Sequence, residues 1–316
     1  MKILLTGATG FIGQALVGEL ILKNFDISIA VRKKTHLFSD KVKQFIVGDF
    51  VSNPDFLDSL SEVDCLVHLA GRAHLVNNTE AFDSSEYKKI NTELTLSLAK
   101  QAMVSGTKRF IFLSSIGVNG NQTDKPFVET DKPNPQDPYS LSKYEAEEGL
   151  IKLAKNSDLE VVIIRPPLVY GNGAPGNFGR LARWGSSKFL LPLPFGAVHN
   201  ARSFIAIENL VSFIITCISH TKAANEVFLI SDEKSISTTH LLKNIAKAFN
   251  KKVFLIPVPS GLIFFLARIL GREKDAARLL SSLIIDSSKA RELLGWEQVV
   301  TMNEQLNKIK QNETSL

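Results

Sequence analysis

The stretch TGATGFIG, residues 6–13, constrains the fold more than any other part of this chain. It follows the apolar run KILL near the N-terminus and opens an amphipathic stretch, FIGQALVGELILK, so it occupies the turn between a strand and a helix. Gly7, Gly10 and Gly13 are spaced G-x-x-G-x-x-G. In such a turn one glycine permits the tight bend, another lets the backbone approach a pyrophosphate, and another lets the helix pack closely on the strand. The N-terminus of that helix then faces the anion. The alternation begun there continues through ISIAVR, QFIVGD, DCLVHLA, RFIFLSS and EVVIIRP, short apolar runs separated by helical periods such as YKKINTELTLSLAKQAMVSG. Six buried strands linked by right-handed helical crossovers predict an α/β fold with a doubly wound parallel sheet.

Past Arg165 the rhythm breaks into loops rich in Gly, Pro and Asn, PPLVYGNGAPGN and LPLPFGAVHN, where recognition is expected on a rigid sheet. The division that follows is a Rossmann dinucleotide-binding domain over 1–170, to which 202–230 returns, and a smaller, interleaved C-terminal substrate-binding portion over 171–201 and 231–316. With 316 residues, 44% of them hydrophobic, the chain can bury a large core without staples. Cys65 and Cys217 sit in apolar runs and read as buried thiols, not as a disulfide or a metal site. Met1 leads directly into a strand, so no signal peptide is expected and the location read is cytoplasmic. The greasy segment 253–270, VFLIPVPSGLIFFLARIL, is broken by two prolines and a glycine and is too short to span a bilayer. It is expected to bury within the protein, with a patch for a membrane-bound partner as the alternative. The net charge of +5 is spread among acids, which points away from nucleic acid and suits a small anionic substrate.

Arg32 falls 19 residues after Gly13, where an NAD-binding fold places an acid for the ribose hydroxyls. Arg32, with Lys33 beside it, is positioned for a ribose 2′-phosphate, the bland reading being a solvated basic turn. Asp49 follows the third strand and suits the adenine amino group. Ser114 and Ser115 end the fifth strand, at the edge where open parallel sheets bind ligands. Tyr139 and Lys143 lie four apart on one helical face, which by itself is also ordinary surface packing. Asp137 and Pro138 are suited to N-cap and open that helix.

Together, TGATGFIG, HLAG (68–71), SSIGVNG and Tyr139-x-x-x-Lys143 resemble the extended short-chain dehydrogenase/reductase family, the NAD-dependent epimerases and dehydratases of nucleotide sugars. The resemblance runs from residue 2 to about residue 300. It implies that Tyr139 is the general acid/base for a carbinol or carbonyl oxygen, that Lys143 lowers its pKa and holds the nicotinamide ribose, and that Ser115 hydrogen-bonds the same oxygen. It places Gly7, Thr9, Gly10, Phe11, Ile12, Gly13, Arg32, Asp49, Phe50, Leu69, Ala70, Gly71 and Pro166 against the cofactor, together with Tyr139 and Lys143. It likewise places Asn177 and the backbone at Phe178, in a GNF loop, against the substrate's diphosphate or uridine, and Arg202 against the diphosphate. Ala276 stands where many members carry another phosphate-binding arginine, with Arg278 or Arg272 as shifted substitutes.

The dehydratases of that family resemble one another in an Asp-Glu pair after the active hydroxyl; here Ile116 and Gly117 occupy those positions, which disfavours dehydration. The sequence reads best as a reductase using NADPH, with NAD possible, on a UDP-4-keto-6-deoxy-N-acetylhexosamine for surface polysaccharide such as O-antigen. The alternative is a UDP-hexose or UDP-N-acetylhexosamine 4-epimerase that retains NAD, and the remote alternative a non-catalytic sensor or assembly factor. No metal or transmembrane segment is expected, and a homodimer built from the helices at 85–105 and 138–155 is.

Overall fold

The computed structural model of the chain describes residues 1–50, 54–72, 84–187 and 192–314, without the side chains of Asn177, Lys274 and residues 312–314. The first half alternates strand and helix: β1 (Lys2–Thr6), α1 (Phe11–Leu22), β2 (Asp26–Val31), β3 (Lys43–Ile46), α2 (Leu57–Leu60), β4 (Cys65–His68), α3 (Ser84–Tyr87), α4 (Leu94–Val104), β5 (Arg109–Leu113), α5 (Pro138–Ala154) and β6 (Glu160–Arg165). A π-helical turn, Lys88–Glu93, joins α3 to α4. There follow β7 (Leu168–Tyr170), α6 (Gly176–Ser186), β8 (Phe204–Ala206), α7 (Ile207–Ser219), β9 (Val227–Leu229), α8 (Thr238–Ala248), α9 (Ser260–Ile269), α10 (Glu273–Leu280), α11 (Ser288–Leu294) and α12 (Met302–Thr314).

All seven strands of the main sheet are parallel, in the order β3-β2-β1-β4-β5-β6-β9. The chain winds outward from β1 to β3, then returns to β4 and winds the other way. The carboxyl ends of β1 and β4 therefore flank the switch point, where such sheets hold ligands. Alternation along each strand feeds two cores. Ile3, Leu5, Ile111, Val162 and Ile164 face one side, packed under α1, α7 and α11. Leu4, Phe110, Phe112, Val161 and Ile163 face the other, under α4 and α5. A third cluster joins Tyr170 and Phe178 to Leu241, Ile245, Phe249, Leu306 and Ile309, tying α6, α8 and α12 together. Cys65 and Cys217 are buried free thiols.

Two expectations are corrected here. The GNF stretch is the first turn of α6, and Phe178 points into the third cluster at 2% exposure. The amphipathic period of GNFGRLARWGS wins once Tyr170 offers a ring 5.2 Å away for Phe178 to pack on. The segment 253–270 does not bury: α9 has no buried residue. It packs on α10, an eight-residue helix too short to cover an apolar stripe running the length of α9.

Candidate active site

Each strand end at the switch point delivers one part of the site. After β1, Gly7 turns with φ +73°, and a Cβ there would stand 2.5 Å from the Ala70 amide nitrogen. A Cβ on Gly13 would stand 2.2 Å from the Gly7 carbonyl oxygen. Both positions exclude any side chain, which lets α1, the turn and the end of β4 stack closely. Gly10 caps α1 with no side chain bonded to the first-turn amides, and no acid lies in that turn. The positive end of the helix is left to an anion. Beside it opens a cleft of about 570 Å³ lined by Thr9, Val31, Arg32, Lys33, Gly48 and Asp49. Thr9 from the turn, Arg32 from the end of β2 and Asp49 from beyond β3 thus share one cleft.

This cradle fits a dinucleotide, whose pyrophosphate would be held at the helix end and whose adenosine would lie towards Arg32 and Asp49. The side chains of Phe11, Ile12 and Leu69 pack against the first core, leaving their backbones for a ligand. Phe50 packs on Phe56, ring centroids 6.0 Å apart.

The hydroxyls expected to react follow β5 and open α5. Asp137 caps α5 by accepting a 2.8 Å hydrogen bond from the Ser140 amide, and Pro138 opens the first turn. That fixes Tyr139 at the helix entry and Lys143 one turn deeper. Lys143 is 4% exposed; its Nζ donates to the Leu113 carbonyl at 2.9 Å and lies 4.5 Å from the Phe112 ring centroid. Burial pulls its pKa down to about 8, against the opposing charge of Glu147. Ser115 N-caps a short 3₁₀ turn (Ile116–Val118), its Oγ accepting from the Gly117 amide at 3.1 Å. It also hydrogen-bonds Tyr139.

Tyr139 is pushed up to about 12, chiefly by burial and then by the Asp137 charge, with the Ser115 hydrogen bond pulling the other way. This is opposite to the lowering expected from Lys143, because desolvation of a phenolate outweighs the field of the neighbouring groups. The Lys143 ammonium is turned to the Leu113 carbonyl.

Sequence reasoning passed over the frame that holds these groups. Glu147, one turn beyond Lys143 and 1% exposed, receives Arg165 Nε at 3.0 and 3.1 Å and the Ser114 hydroxyl. Arg165 in turn donates to Asn119 Oδ1 at 2.9 Å. A buried carboxylate needs such partners. His68 is held on both ring nitrogens, by Thr6 Oγ1 at 2.6 Å and Thr95 Oγ1 at 3.0 Å, and burial then Lys143 lower its pKa to about 3. It is a neutral core residue beneath the site.

Asn91, inside the π turn, accepts from the Arg72 amide at 2.7 Å and donates to the Arg72 carbonyl and to Ser142 Oγ, both at 3.0 Å. A Cβ on Gly71 would meet Lys143 Nζ at 3.1 Å and Asn91 Oδ1 at 3.2 Å, so Gly71 is the gap through which both reach the site. A lone Asn in an amphipathic period carries no such signal; the π turn, a common mark of functional sites, is visible only in the structure.

Pro166, expected against the cofactor, adjoins this cluster, whereas Arg202, expected at the diphosphate, makes its contacts elsewhere. Pro166 leaves β6 and accepts a 3.0 Å hydrogen bond from Ile116, next to Ser115. Arg202 precedes β8 as Pro166 precedes β7, two residues before the paired Phe204 and Leu168. It is half-buried, donates to the Ser281 carbonyl at 3.0 Å, and its pKa is lowered to about 10 by burial and by Arg278. The Arg278 charge, from α10, is felt by Arg202, while Ala276 is buried. The side chain of Asn177 lies outside those described. Among the described residues no three His, Cys, Asp or Glu are grouped as a metal site needs, and no helix is long and apolar enough to cross a membrane.

Comparison with known proteins bears on this geometry. The signature of the NAD dependent epimerase/dehydratase family matches residues 3–231. A UDP-glucose 4-epimerase of Vibrio cholerae is 44% identical over 307 residues, 96% of this chain and 92% of that protein. An N-acetyl-alpha-D-glucosaminyl-diphospho-ditrans,octacis-undecaprenol 4-epimerase of Escherichia coli O157:H7 is 27% identical over 270 residues, covering 83% of this chain and 77% of that protein. Among solved structures, a Thermotoga maritima UDP-glucose 4-epimerase with UDP-glucose superposes with TM-score 0.80 at 23% identity, each chain covered completely.

Proposed function

This chain belongs to the NAD dependent epimerase/dehydratase family, and from that premise we propose that it is a nucleotide-sugar oxidoreductase that reduces a 4-keto UDP-sugar with NADPH. The observation that carries the cofactor choice is Arg32 lining the cleft beside Thr9 and Asp49, where a ribose 2′-phosphate gains a charge-assisted fork. In this reading residues 1–170 with 202–230 hold the dinucleotide, 171–201 and 231–316 hold the sugar, and the protein works in the cytoplasm as a homodimer. A 4-keto-6-deoxy-N-acetylhexosamine for surface polysaccharide is the substrate favoured.

A bound nicotinamide would supply the hydride. Tyr139 delivers the proton to the C4 oxygen, and its high pKa keeps the phenol protonated at neutral pH, as a proton donor must be. Ser115, hydrogen-bonded to Tyr139, holds that oxygen. Lys143, one turn deeper on the same helix, secures the ribose. Arg202, with Arg278, neutralises the diphosphate.

The Vibrio relative favours a second reading: a 4-epimerase that removes and returns hydride at one carbon with dinucleotide retained. One experiment separates the two. The purified protein is denatured, any released dinucleotide identified, and loss of NADPH absorbance followed with a UDP-4-keto-6-deoxyhexosamine. The expected outcome is little bound dinucleotide, NADPH consumed in preference to NADH, a preference reversed by Arg32→Asp, and turnover abolished by Tyr139→Phe. Stoichiometric bound NAD with UDP-hexose interconversion and no NADPH loss would establish the epimerase.

A further inference from the structure

Helix α9 presents Leu262, Phe265, Leu266 and Ile269 at 49, 59, 49 and 67% exposure. Their spacing, i, i+3, i+4, i+7, puts all four on one stripe. Leu270 extends it at 74% exposure, and the extended segment leading into the helix leaves Phe254 open at 68%. Apolar side chains concentrated in this way mark an interaction surface, not ordinary scatter.

Charge indicates what the surface meets. From Lys234 to Arg272 the chain carries seven Lys and Arg and no Asp or Glu, so this span holds all of the positive excess of a protein whose net charge is +5. Lys251, Lys252, Arg268 and Arg272 belong to the segment of the stripe itself. At 100° per residue the exposed Arg268 falls on the flank of the stripe, placed to lay its stem along apolar surface and lift its guanidinium beside it. The acids resume at Glu273 and Asp275, the latter 3.9 Å from Arg272. A second copy of this chain on the stripe would bring an identical basic belt against the first. An anionic surface would not.

We propose that the α9 face docks the protein on an anionic phospholipid bilayer, with Phe265, Leu266 and Ile269 entering the headgroup boundary and Lys252 and Arg268 meeting lipid phosphates. The helix has 10 residues and so is about 15 Å long, half of what a span requires; it lies in the plane of the interface. Apolar insertion and basic attraction are the two signals that together give peripheral binding, each weak alone. The proposal is independent of which sugar is reduced.

The test is flotation of the full-length protein with phosphatidylcholine vesicles, with and without phosphatidylglycerol. Binding is expected to the phosphatidylglycerol vesicles and to weaken with salt. Phe265→Asp with Ile269→Asp should lower the bound fraction about tenfold or more, and Lys252→Glu with Arg268→Glu should lower it on anionic vesicles only. Melting temperature and dinucleotide binding, read in parallel, should stay unchanged. Failure of the wild-type protein to float with anionic vesicles would overturn the proposal, as would full binding by the aspartate variant. A drop in oligomer mass in that variant, without any vesicle binding by the wild type, would assign the face to a contact between copies.

Discussion

His68 shows how one residue couples the site to solution conditions. Buried between Thr6 and Thr95, it keeps its neutral form down to about pH 3, whereas in the unfolded chain it takes a proton near the usual value of 6.5. Below 6.5 the unfolded state therefore binds more protons, and stability falls as pH falls through the window between the two values. Above 6.5 the contribution is complete. Replacing His68 by glutamine, which can still donate and accept but does not titrate, should flatten that fall. The measurement is the urea midpoint of both proteins at several pH values between about 7 and 4. Equal slopes would show that carboxylates alone set the acid limit. Lys143 acts in the same sense in a higher window: held at about 8 against an ordinary 10.5, it makes the folded state gain as pH rises from the first value towards the second.

At the scale of the element, α5 is the positioning device. Its cap, its first turn and its buried stripe place Asp137, Tyr139, Lys143 and Glu147 along one helix. Asp137→Ala removes the bond to the Ser140 amide and should cost about 1 kcal/mol of stability. Since Tyr139 stands in the turn that loosens, kcat should fall more than KM rises. An unchanged kcat at reduced stability would mean that Ser115 and the ring contact with Tyr87 hold Tyr139 without the cap. This element was readable in PYSLSKYEAEE because cap, proline and spacing are local signals. So were the glycine turn and the strands, whose continuous apolar runs follow from burial on both faces. The frame around them was not: Glu147 meets Arg165, and Asn91 meets Arg72, through contacts that no local period records. For α6 and α9 the opposite error arose, since loop composition hid a helix and hydrophobicity alone suggested a burial that no neighbour among the described residues provides.

For the whole molecule, the decisive fact is where the sheet is finished. β6 is joined on its outer edge by β9, which arrives after the chain has built β7, α6 and β8, and α7 covers one face with Leu210, Phe213, Ile214 and Cys217. A fragment of residues 1–170 lacks both. It leaves a strand edge unpaired and an apolar sheet face open, and is expected to be recovered as aggregate without dinucleotide binding, checked by size exclusion and nucleotide titration. A soluble, binding-competent fragment would refute this. The order has a consequence for synthesis on the ribosome. When β6 emerges, every glycine, hydroxyl and amine of the cofactor site has been made, yet the scaffold that holds them waits for a strand still to be translated. The two halves are thus obliged to mature together, and a nascent chain stalled before β9 is one that chaperones must shield.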